Sequence, residues 1–560
     1  MNESAAPSRR IDRFDWLTLG ALVVMGAAFL FQMSSRPSIV GKWEDDAVYL
    51  ATAKAIADGH GYRHIELPGE PWQTKYPPAY PAVLAVLWKC FPNLVDKPLP
   101  LQTVNVVMLV GAHWLTYRMM RRSMGVSWLA AGAGVVASMS SHMWFELSAT
   151  SMSECMFTLL AMGGLGAAAA CERRGGAGTG GGSITRIALV AGALIGAALL
   201  TRSVGVGVAA GVVGILLLRR RWKASILVGL PIAACFLAWF LWRAHASGLN
   251  AAIPTATALS YELDYSSWVI SSPLELGRVA ALNAAEAAYG GLFLLRPLPW
   301  SWIDWCLGGG VLTLAVLWAG VAGLMWLMFL GAERVWRSGQ RAALTGLALY
   351  LAMVLVWPFQ PVRLILPLLP VASVLVFWGA AGMVRGTGIA HGRLRAGLLL
   401  AMLALACLPG PEQQLGSFWK PADPVGTNEL LSRSTEMIKK ETPPEAVVAV
   451  VGGGVQYLRT GRKCVLPFPS TDPVTQHCPP DRSILLMGLG QTPMQEKFPY
   501  SQLAQLPAYL TGVGATYEVI VEDGSEFADA FTQFRNQHVE LFRDISSEGY
   551  LRIVRVRSGR

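Results

Sequence analysis

Lys75-Tyr76-Pro77-Pro78-Ala79-Tyr80-Pro81-Ala82-Val83-Leu84-Ala85-Val86-Leu87-Trp88-Lys89-Cys90 is apolar enough to pass for a membrane crossing, and whether it crosses decides the threading of everything behind it. Its apolar part, Tyr80 to Phe91, runs for only about a dozen residues, short of the ~20 that a crossing helix takes. It also opens on Pro77, Pro78 and Pro81, which suits an interfacial or re-entrant helix. Counted as a crossing, it sends successive arginine clusters to alternating sides; left out, it gathers them all on one side.

Outward from this stretch, longer apolar runs recur over four hundred residues. They are Trp16 to Met33, Leu101 to Met119, Val126 to Trp144, Met152 to Ala170, Ile184 to Leu200, Val204 to Leu218, Ile226 to Ala246, Trp305 to Phe329, Ala342 to Trp357, Leu364 to Met383 and Leu394 to Leu408. That makes an α-helical polytopic membrane protein with about 11 transmembrane helices. With a cytoplasmic N-terminus, Arg9-Arg10, Arg118 to Arg122, Arg173-Arg174, Arg219 to Lys223, Arg334 to Arg341 and Arg385 to Arg395 all fall inside. The acidic pair Asp45-Asp46, the Ala246 to Ser301 loop and everything after Pro409 then fall outside. The first apolar run has no small-residue cleavage site and is expected to stay as an anchor.

Composition agrees: 560 residues that are 53% hydrophobic and 15% charged, with mean hydropathy +0.42, do not make one soluble globule. The net charge of +10 does not point to nucleic acid. Residues 1–409 hold 31 Lys and Arg against 19 Asp and Glu, whereas residues 410–560 hold 15 against 17, so the basic excess belongs to membrane loops.

Past Pro409 the pattern changes, and the chain divides into a membrane domain, 1–409, with its first outer loop at 34–100, and an outer domain, 410–560. Proline-rich linkers at Leu408 to Pro411 and Pro421 to Pro424 lead into β-rich runs at Ala446 to Val451, Ser483 to Met487 and Glu518 to Glu522. Ser501 to Leu510 and Phe527 to Arg535 read as helices between them, and Val539 to Phe542 with Tyr550 to Val556 as a closing hairpin: a small soluble α/β domain. Gly452-Gly453-Gly454 follows a strand as a phosphate-binding turn would, but lacks the spacing and the Lys-Ser/Thr of a nucleotide loop. Gly175 to Gly182 is a low-complexity linker. Cys464 and Cys478 lie close enough in sequence for a loop-closing disulfide, or for two separate thiols; the other cysteines sit in or beside apolar runs.

Candidate chemistry gathers at the outer end. Asp45 to Asp58 reads as a short helix stopped by Gly59, with Asp45 and Tyr49 on one face and Val48, Ala55 and Ile56 free to rest on the membrane surface. Two neighbouring aspartates on a helix point different ways, so one of Asp45 and Asp46 is a base candidate and the other its support. Glu154 opens a span, Arg202 separates two short ones, and Arg363 follows Trp357-Pro358-Phe359-Gln360-Pro361. Charges at a membrane boundary are costly and mark function or structural pairing. Arginine's fork and the Lys75 point charge both suit a phosphate.

Trp43-Glu44-Asp45-Asp46-Ala47-Val48-Tyr49, Gly59-His60-Gly61-Tyr62 and Lys75-Tyr76-Pro77-Pro78-Ala79-Tyr80-Pro81, in this order, resemble the first outer loop of the C-type fold (GT-C) glycosyltransferases. The likeness is to the branch of protein O-mannosyltransferases and of bacterial transferases that add aminoarabinose to lipid A. It spans roughly residues 10–410, is strongest at 43–81 and is only topological beyond about 210. The resemblance implies an inverting transfer of a hexosyl or pentosyl unit from a polyprenyl-phosphate donor on the outer face of the cytoplasmic (inner) membrane. It implies no nucleotide-sugar and usually no metal, and an acceptor hydroxyl on a lipid, glycan or protein.

Carried over, the family's acid falls on Asp45, and Asp46 stands where glutamate is common. Glu154 matches the second acid, and Lys75 a basic residue near the lipid phosphate. Tyr49, Tyr76, Pro77, Pro78, Tyr80, Arg202 and Arg363 complete the expected substrate-binding set. Tyr457-Leu458-Arg459-Thr460-Gly461-Arg462 resembles a segment of the outer domains of such bacterial enzymes and has no assigned chemistry. Cofactors are expected to be none; a divalent ion among His60, His64, His142, His245 and the acids is the minority reading, their spacing fitting no ligand motif. The rival functions are a polymerase or ligase of lipid-linked glycans, with its cations at Arg278 and Arg296, and a non-enzymatic transporter.

Overall fold

The computed structural model describes residues 12–35, 45–174, 181–253, 273–295, 311–357, 361–386, 427–450, 453–465, 506–521, 533–539, 542–548 and 551–556, with isolated positions at 38, 40, 41, 397 and 399–403. Elements are numbered over these residues.

The ends of the helices establish which charges share a side. α1 (Arg13–Ser34) starts on a capping box, in which Asp12 accepts from the Phe14 and Asp15 N–H groups while Asp15 accepts from the Asp12 N–H. Asp15 is fully buried and is neutralised by Arg121 and Arg122, carried on the π turn Met119–Ser123 that ends α4 (Leu99–Arg118). At the same end, Glu172 in the last turn of α7 (Glu154–Arg174) pairs with Arg219 and accepts from the Arg341 and Ala342 N–H groups at 2.8 and 3.0 Å. Arg173 donates to the Arg122 carbonyl and Arg221 to that of Glu172. The clusters at 118–122, 173–174, 219–223 and 334–341 converge on one end of the bundle, while Arg9-Arg10 and most of 385–395 lie outside the described residues.

A helix of this length rises about 30 Å, so Glu154, at the other end of α7, lies a membrane's thickness away. Since α1 leaves the arginine end and α4 returns to it, α2 (Asp45–Ala57) and α3 (Ala79–Cys90) both belong to the connection at the far end. α3 makes no net crossing, as its length and prolines foretold. α2 packs with α3 through Tyr49, Leu50, Ala53, Tyr80, Leu84 and Trp88.

The remaining helices of the bundle are α5 (Trp128–Met139), α8 (Gly181–Leu199), α9 (Val206–Leu218), α10 (Trp222–Asn250), α12 (Val311–Arg337), α13 (Arg341–Leu355), the short α14 (Pro361–Ile365) and α15 (Leu369–Gly386). α15 is buried nearly all round. α1, α10 and α12 instead expose apolar side chains such as Val24, Phe31, Leu230, Phe240, Val311 and Phe329, as a lipid-facing ring does. α9 and α13 approach closely because Gly207 and Gly211 carry no side chain: a β-carbon on either would meet the Leu349 or Thr345 carbonyl oxygen at 2.7 or 2.5 Å.

Two expectations change. The run Val126 to Trp144 is not one helix. It stops at Met139, where Ser140 turns its hydroxyl onto the Ala137 carbonyl, and resumes as α6 (His142–Ala149). Inside the stretch read as the Ala246 to Ser301 loop, α10 continues to Asn250 and a long helix, α11 (Pro273–Leu295), buries Val279, Leu282 and Asn283. Its charges, Glu275, Arg278 and Glu286, had lowered its hydropathy below that of a membrane element. Of Leu394 to Leu408, only 397 and 399–403 are described, as helix.

The tail builds a five-stranded sheet in the order β2-β1-β3-β5-β4, from β1 (Val447–Ala449), β2 (Lys463–Val465), β3 (Tyr517–Val521), β4 (Phe542–Glu548) and β5 (Leu551–Val556). β1 runs parallel to β2 and β3, while β5 runs antiparallel to β3 and β4. α16 (Thr427–Glu441), α17 (Gly453–Thr460) and α18 (Leu506–Gly512) pack around it. The closing hairpin is present, but its first strand runs from Phe542 to Glu548 rather than Val539 to Phe542. Ser546, Ser547 and Glu548 pair with Ile553, Arg552 and Leu551, and a register shift falls between Asp544 and Ser546. Ser483 to Met487, most of Phe527 to Arg535, both proline-rich linkers and Cys478 lie outside the described residues; Cys464 is buried on β2.

Glu172 caps a helix N-terminus and neutralises an arginine from a buried position. Glu172→Ala is expected to cost about 2–4 kcal/mol and to lower the melting temperature of the detergent-solubilised protein by several degrees. An unchanged melting curve would remove Glu172 from the account of how the arginine end is held.

Candidate active site

At the end opposite the arginine belt, five segments far apart in sequence bring charges together. Asp45 is the first residue of α2, and its neighbour Asp46 turns away from it by the ~100° of one helical step. The Asp45 carboxylate receives Arg363 Nη2 on Oδ2 at 2.8 Å and the Tyr76 hydroxyl on Oδ1, with Lys75 Nζ 4.0 Å from Oδ1. Arg363 also faces Glu154: its Nε stands 3.1 Å from Oε1. Arg202 Nη1 reaches the same Glu154 oxygen at 2.6 Å and the Ser153 hydroxyl at 3.2 Å. Glu154 is 1% exposed, while Asp45, Lys75 and Arg363 each keep about a quarter of their side-chain surface open.

Each member is held by its own local structure. The Lys75-Tyr76 turn is fixed by Gln73, whose Oε1 accepts from both backbone N–H groups at 2.9 and 3.2 Å while its Nε2 donates to Thr52 on α2. Tyr62 donates its hydroxyl to the Tyr76 carbonyl at 2.6 Å, and Trp242 its indole N–H to the Gln73 carbonyl at 2.9 Å. Asn250 exchanges two hydrogen bonds with the Trp72 backbone, as a neighbouring strand would, and so ties this loop to the end of α10. Arg202 occupies the extended residue before the 3-10 turn Ser203–Gly205, next to Leu200, whose carbonyl accepts the Ala79 N–H at the start of α3. Asn105 on α4 donates to the Thr150 carbonyl and accepts from Tyr80, which fixes the turn leading into Glu154.

The sequence candidates thus divide. Asp45, Glu154, Lys75, Tyr76, Arg202 and Arg363 meet. Asp46 is fully buried on the other side, where Oδ2 accepts the Gly41 N–H at 2.7 Å and its carbonyl accepts the Ser151 hydroxyl at 2.7 Å. Tyr49 and Tyr80 are packed inward, their hydroxyls on Ser153 and Asn105, and Pro77 and Pro78 shape the entry to α3. The face of α2 expected on the membrane surface lies elsewhere: Ala51 and Ala55 pack with Ile65 against Tyr457 and Leu458 of the tail. Gln73, Asn105, Ser153 and Asn250 went unnoticed. A signal existed for Asn105, a polar residue inside the apolar run Leu101 to Met119. His60, His64 and His142 pair with Glu70, Glu66 and Glu146, and no set of three metal-ligating side chains gathers among the described residues.

Burial pushes the Asp45 carboxyl upward, but the Arg363 and Lys75 charges and the Tyr76 and Arg363 hydrogen bonds outweigh it and hold its pKa at about 2. Among the described residues, three cations stand here against two carboxylates. Such a site can hold an anion and stabilise negative charge as it grows.

No protein-family model matches the sequence. Among solved structures, ArnT from Cupriavidus metallidurans is similar at a TM-score of 0.54 with 13% identity, over 97% of this chain and 98% of that one, in a structure that holds undecaprenyl phosphate. Its apo state gives 0.53. The apo Archaeoglobus fulgidus oligosaccharyltransferase is similar at 0.52 with 13% identity, over 92% of this chain and 71% of that one. Both are glycosyltransferases of the C-type fold. This chain is a membrane protein with the GT-C fold.

Proposed function

We propose that the chain is an inverting glycosyltransferase that moves a sugar from a polyprenyl-phosphate donor to an acceptor hydroxyl on the outer face of the cytoplasmic membrane. Residues 1–409 form its catalytic membrane domain and 410–560 an outer-face domain. The observation that carries this reading is the convergence of Asp45, Lys75, Glu154, Arg202 and Arg363 at the end of the bundle opposite the arginine belt. The bound undecaprenyl phosphate of the structurally similar ArnT supports the donor class. In this reading the arginine belt is cytoplasmic.

Glu154 holds Arg202 and Arg363 side by side, where two like charges would otherwise repel. A donor phosphodiester carries one negative charge and would sit against these cations. As the glycosidic bond breaks, the phosphate gains charge, and Arg202, Arg363 and Lys75 stabilise it as it departs without a strong acid. Asp45 is a weak base while two cations and a phenol hold its lone pairs. A phosphate that draws Arg363 and Lys75 to itself releases those lone pairs and raises the pKa of Asp45, which then takes the acceptor proton as the hydroxyl attacks the anomeric carbon. Asp46 supports the helix turn that presents Asp45. The residues present can act without a metal, although a divalent ion at the phosphate is compatible with the same geometry.

The test is labelled polyprenyl-phosphate monosaccharide supplied to the reconstituted protein. Sugar transfer or hydrolysis is expected; reaction only with a diphosphate-linked oligosaccharide would favour a polymerase or ligase, and movement without bond cleavage a transporter. Asp45→Asn is expected to lower transfer at least ~100-fold, far more than the stability lost with its Arg363 ion pair would account for. Asp46→Asn should instead lower the melting temperature, by about 1–3 kcal/mol of stability, because an amide cannot accept from the surrounding N–H groups through both of its polar atoms. Near-normal transfer in Asp45→Asn would remove the catalytic assignment. Arg363→Lys loses the fork that spans Asp45 and Glu154, and transfer should fall at least ~10-fold; full activity would show that charge alone suffices.

The pH dependence follows from the depressed Asp45 pKa. A carboxylate whose folded pKa lies below its ordinary 3.8 contributes stability that is present above that value and lost as pH falls towards about 2. Wild-type protein should therefore lose more stability between pH 4 and 2 than Asp45→Asn does. Parallel melting curves across that window would count against the Arg363–Asp45 pairing.

A further inference from the structure

The tail segment Gly453 to Arg462, to which the proposed chemistry gives no part, lies against the helix that carries Asp45. Gly454 packs on the first turn of α2: a β-carbon there would stand 3.0 Å from Ala47 Cβ, 3.3 Å from the Ala47 carbonyl carbon and 3.4 Å from the Val48 nitrogen. The next residue, Val455, is fully buried in the cluster formed by α2 and α3. It sits over Gly41, where a β-carbon would meet all three Val455 side-chain carbons at 2.8–2.9 Å. Gly41 adopts φ +101°, and its N–H is the one that Asp46 accepts. The first turn of α2 is thus gripped from three directions, by Gly454 and Val455 of the tail, by the Gly41 N–H, and by the Ser151 hydroxyl on the Asp46 carbonyl, three residues before Glu154.

The grip is anchored within the tail. Gln456, fully buried, accepts from the Thr435 hydroxyl at 2.9 Å and donates to Ser434 Oγ at 2.7 Å, which locks α17 to α16. Beyond α17, Lys463 pairs with Glu70 at 2.7 Å and donates to the Ile65 carbonyl at 2.5 Å, and the Cys464 N–H donates to the Glu66 carbonyl at 2.8 Å. The outer loop is thereby bonded to β2 as if it were one more edge strand.

We infer that α17 of the C-terminal domain sets the position of Asp45, with Gly454 and Val455 as positioning residues for the transfer reaction. Gly454 allows the close approach of α17 to α2, while a β-carbon on Gly453 would stand 3.1 Å from Cys464 Cβ on β2. The physical ground is the tolerance of the chemistry. A displacement of α2 by a β-carbon's width is of the order of 1 Å, which is enough to cost up to about 100-fold in rate when it falls between reacting groups. The inference rests on the glycosyltransferase reading for its kinetic arm but not for its structural arm.

The test uses the full-length protein in lipid nanodiscs. Val455→Ala removes the wedge without adding bulk, and hydrogen exchange at the amides of residues 47–50 should rise several-fold. Gly454→Ala should lower kcat for the polyprenyl-phosphate sugar about 10-fold, with KM changed less than about 2-fold. Adding Ala47→Gly, which removes the carbon that the new methyl meets, should restore most of that loss. Unchanged exchange in Val455→Ala overturns the inference, and so does a loss in Gly454→Ala that Ala47→Gly fails to repair or that appears in KM alone. Should wild-type protein transfer no sugar, the enzymatic reading fails, while the exchange measurement still decides the positioning.

Discussion

Glu154 is a carboxylate buried at the end of an apolar bundle, and the geometry around it follows from the cost of leaving such a charge alone. Transferring an isolated carboxylate out of water costs many kcal/mol unless it is paired and hydrogen-bonded. Arg202 and Arg363 supply the pairing, and both use the same oxygen. Each guanidinium arrives from a break between helices, Arg202 before the 3-10 turn Ser203–Gly205 and Arg363 on the short α14. The sharing also explains why two arginines are tolerated side by side. Arg363 also reaches Asp45, so one guanidinium joins the buried acid to the open one.

The same helix solves a second problem at its other end. Glu172 is as buried as Glu154, but its partners are the N–H groups opening α13 and a single arginine, Arg219. Backbone N–H groups are fixed and carry only partial charge, so that end is a lock. The Glu154 end, with two full cations and a partly open neighbour, retains positive charge that a ligand can use. One helix, two buried acids and different donor sets separate a structural end from a reactive one.

What the sequence revealed follows the physics of each element. Arginine clusters report sidedness because their cost in a membrane is large and independent of packing, and the length and prolines of α3 told the same way. The Asp45 helix was legible from the spacing of Asp45 and Tyr49 and from Gly59, which takes φ +86°. The expectations that failed depend on partners distant in the chain. α11 is polar enough to pass for a loop until its apolar face finds the bundle, and α2 looked like a membrane-surface helix because nothing local announces Tyr457 and Leu458 some four hundred residues on. Gln73 and Asn250 are ordinary polar residues in sequence, and their roles arise only from the backbone groups they meet.

Asp45 and Asp46 show how a sequence pair becomes a division of labour. One helical step puts about 100° between their side chains, so once Asp46 is committed to the Gly41 N–H, Asp45 must face the cations. The converse also holds, because any rotation of α2 that improved one contact would spoil the other. The first turn of α2 therefore has little rotational freedom, and the tail reduces it further by filling the space against Ala47 and Gly41 with Gly454 and Val455. A reactive carboxylate near a membrane is easily drawn into ion pairs of the wrong geometry. Committing its neighbour to the Gly41 N–H, and filling the space beside Ala47 and Gly41 with an apolar wedge, fixes the direction that Asp45 takes.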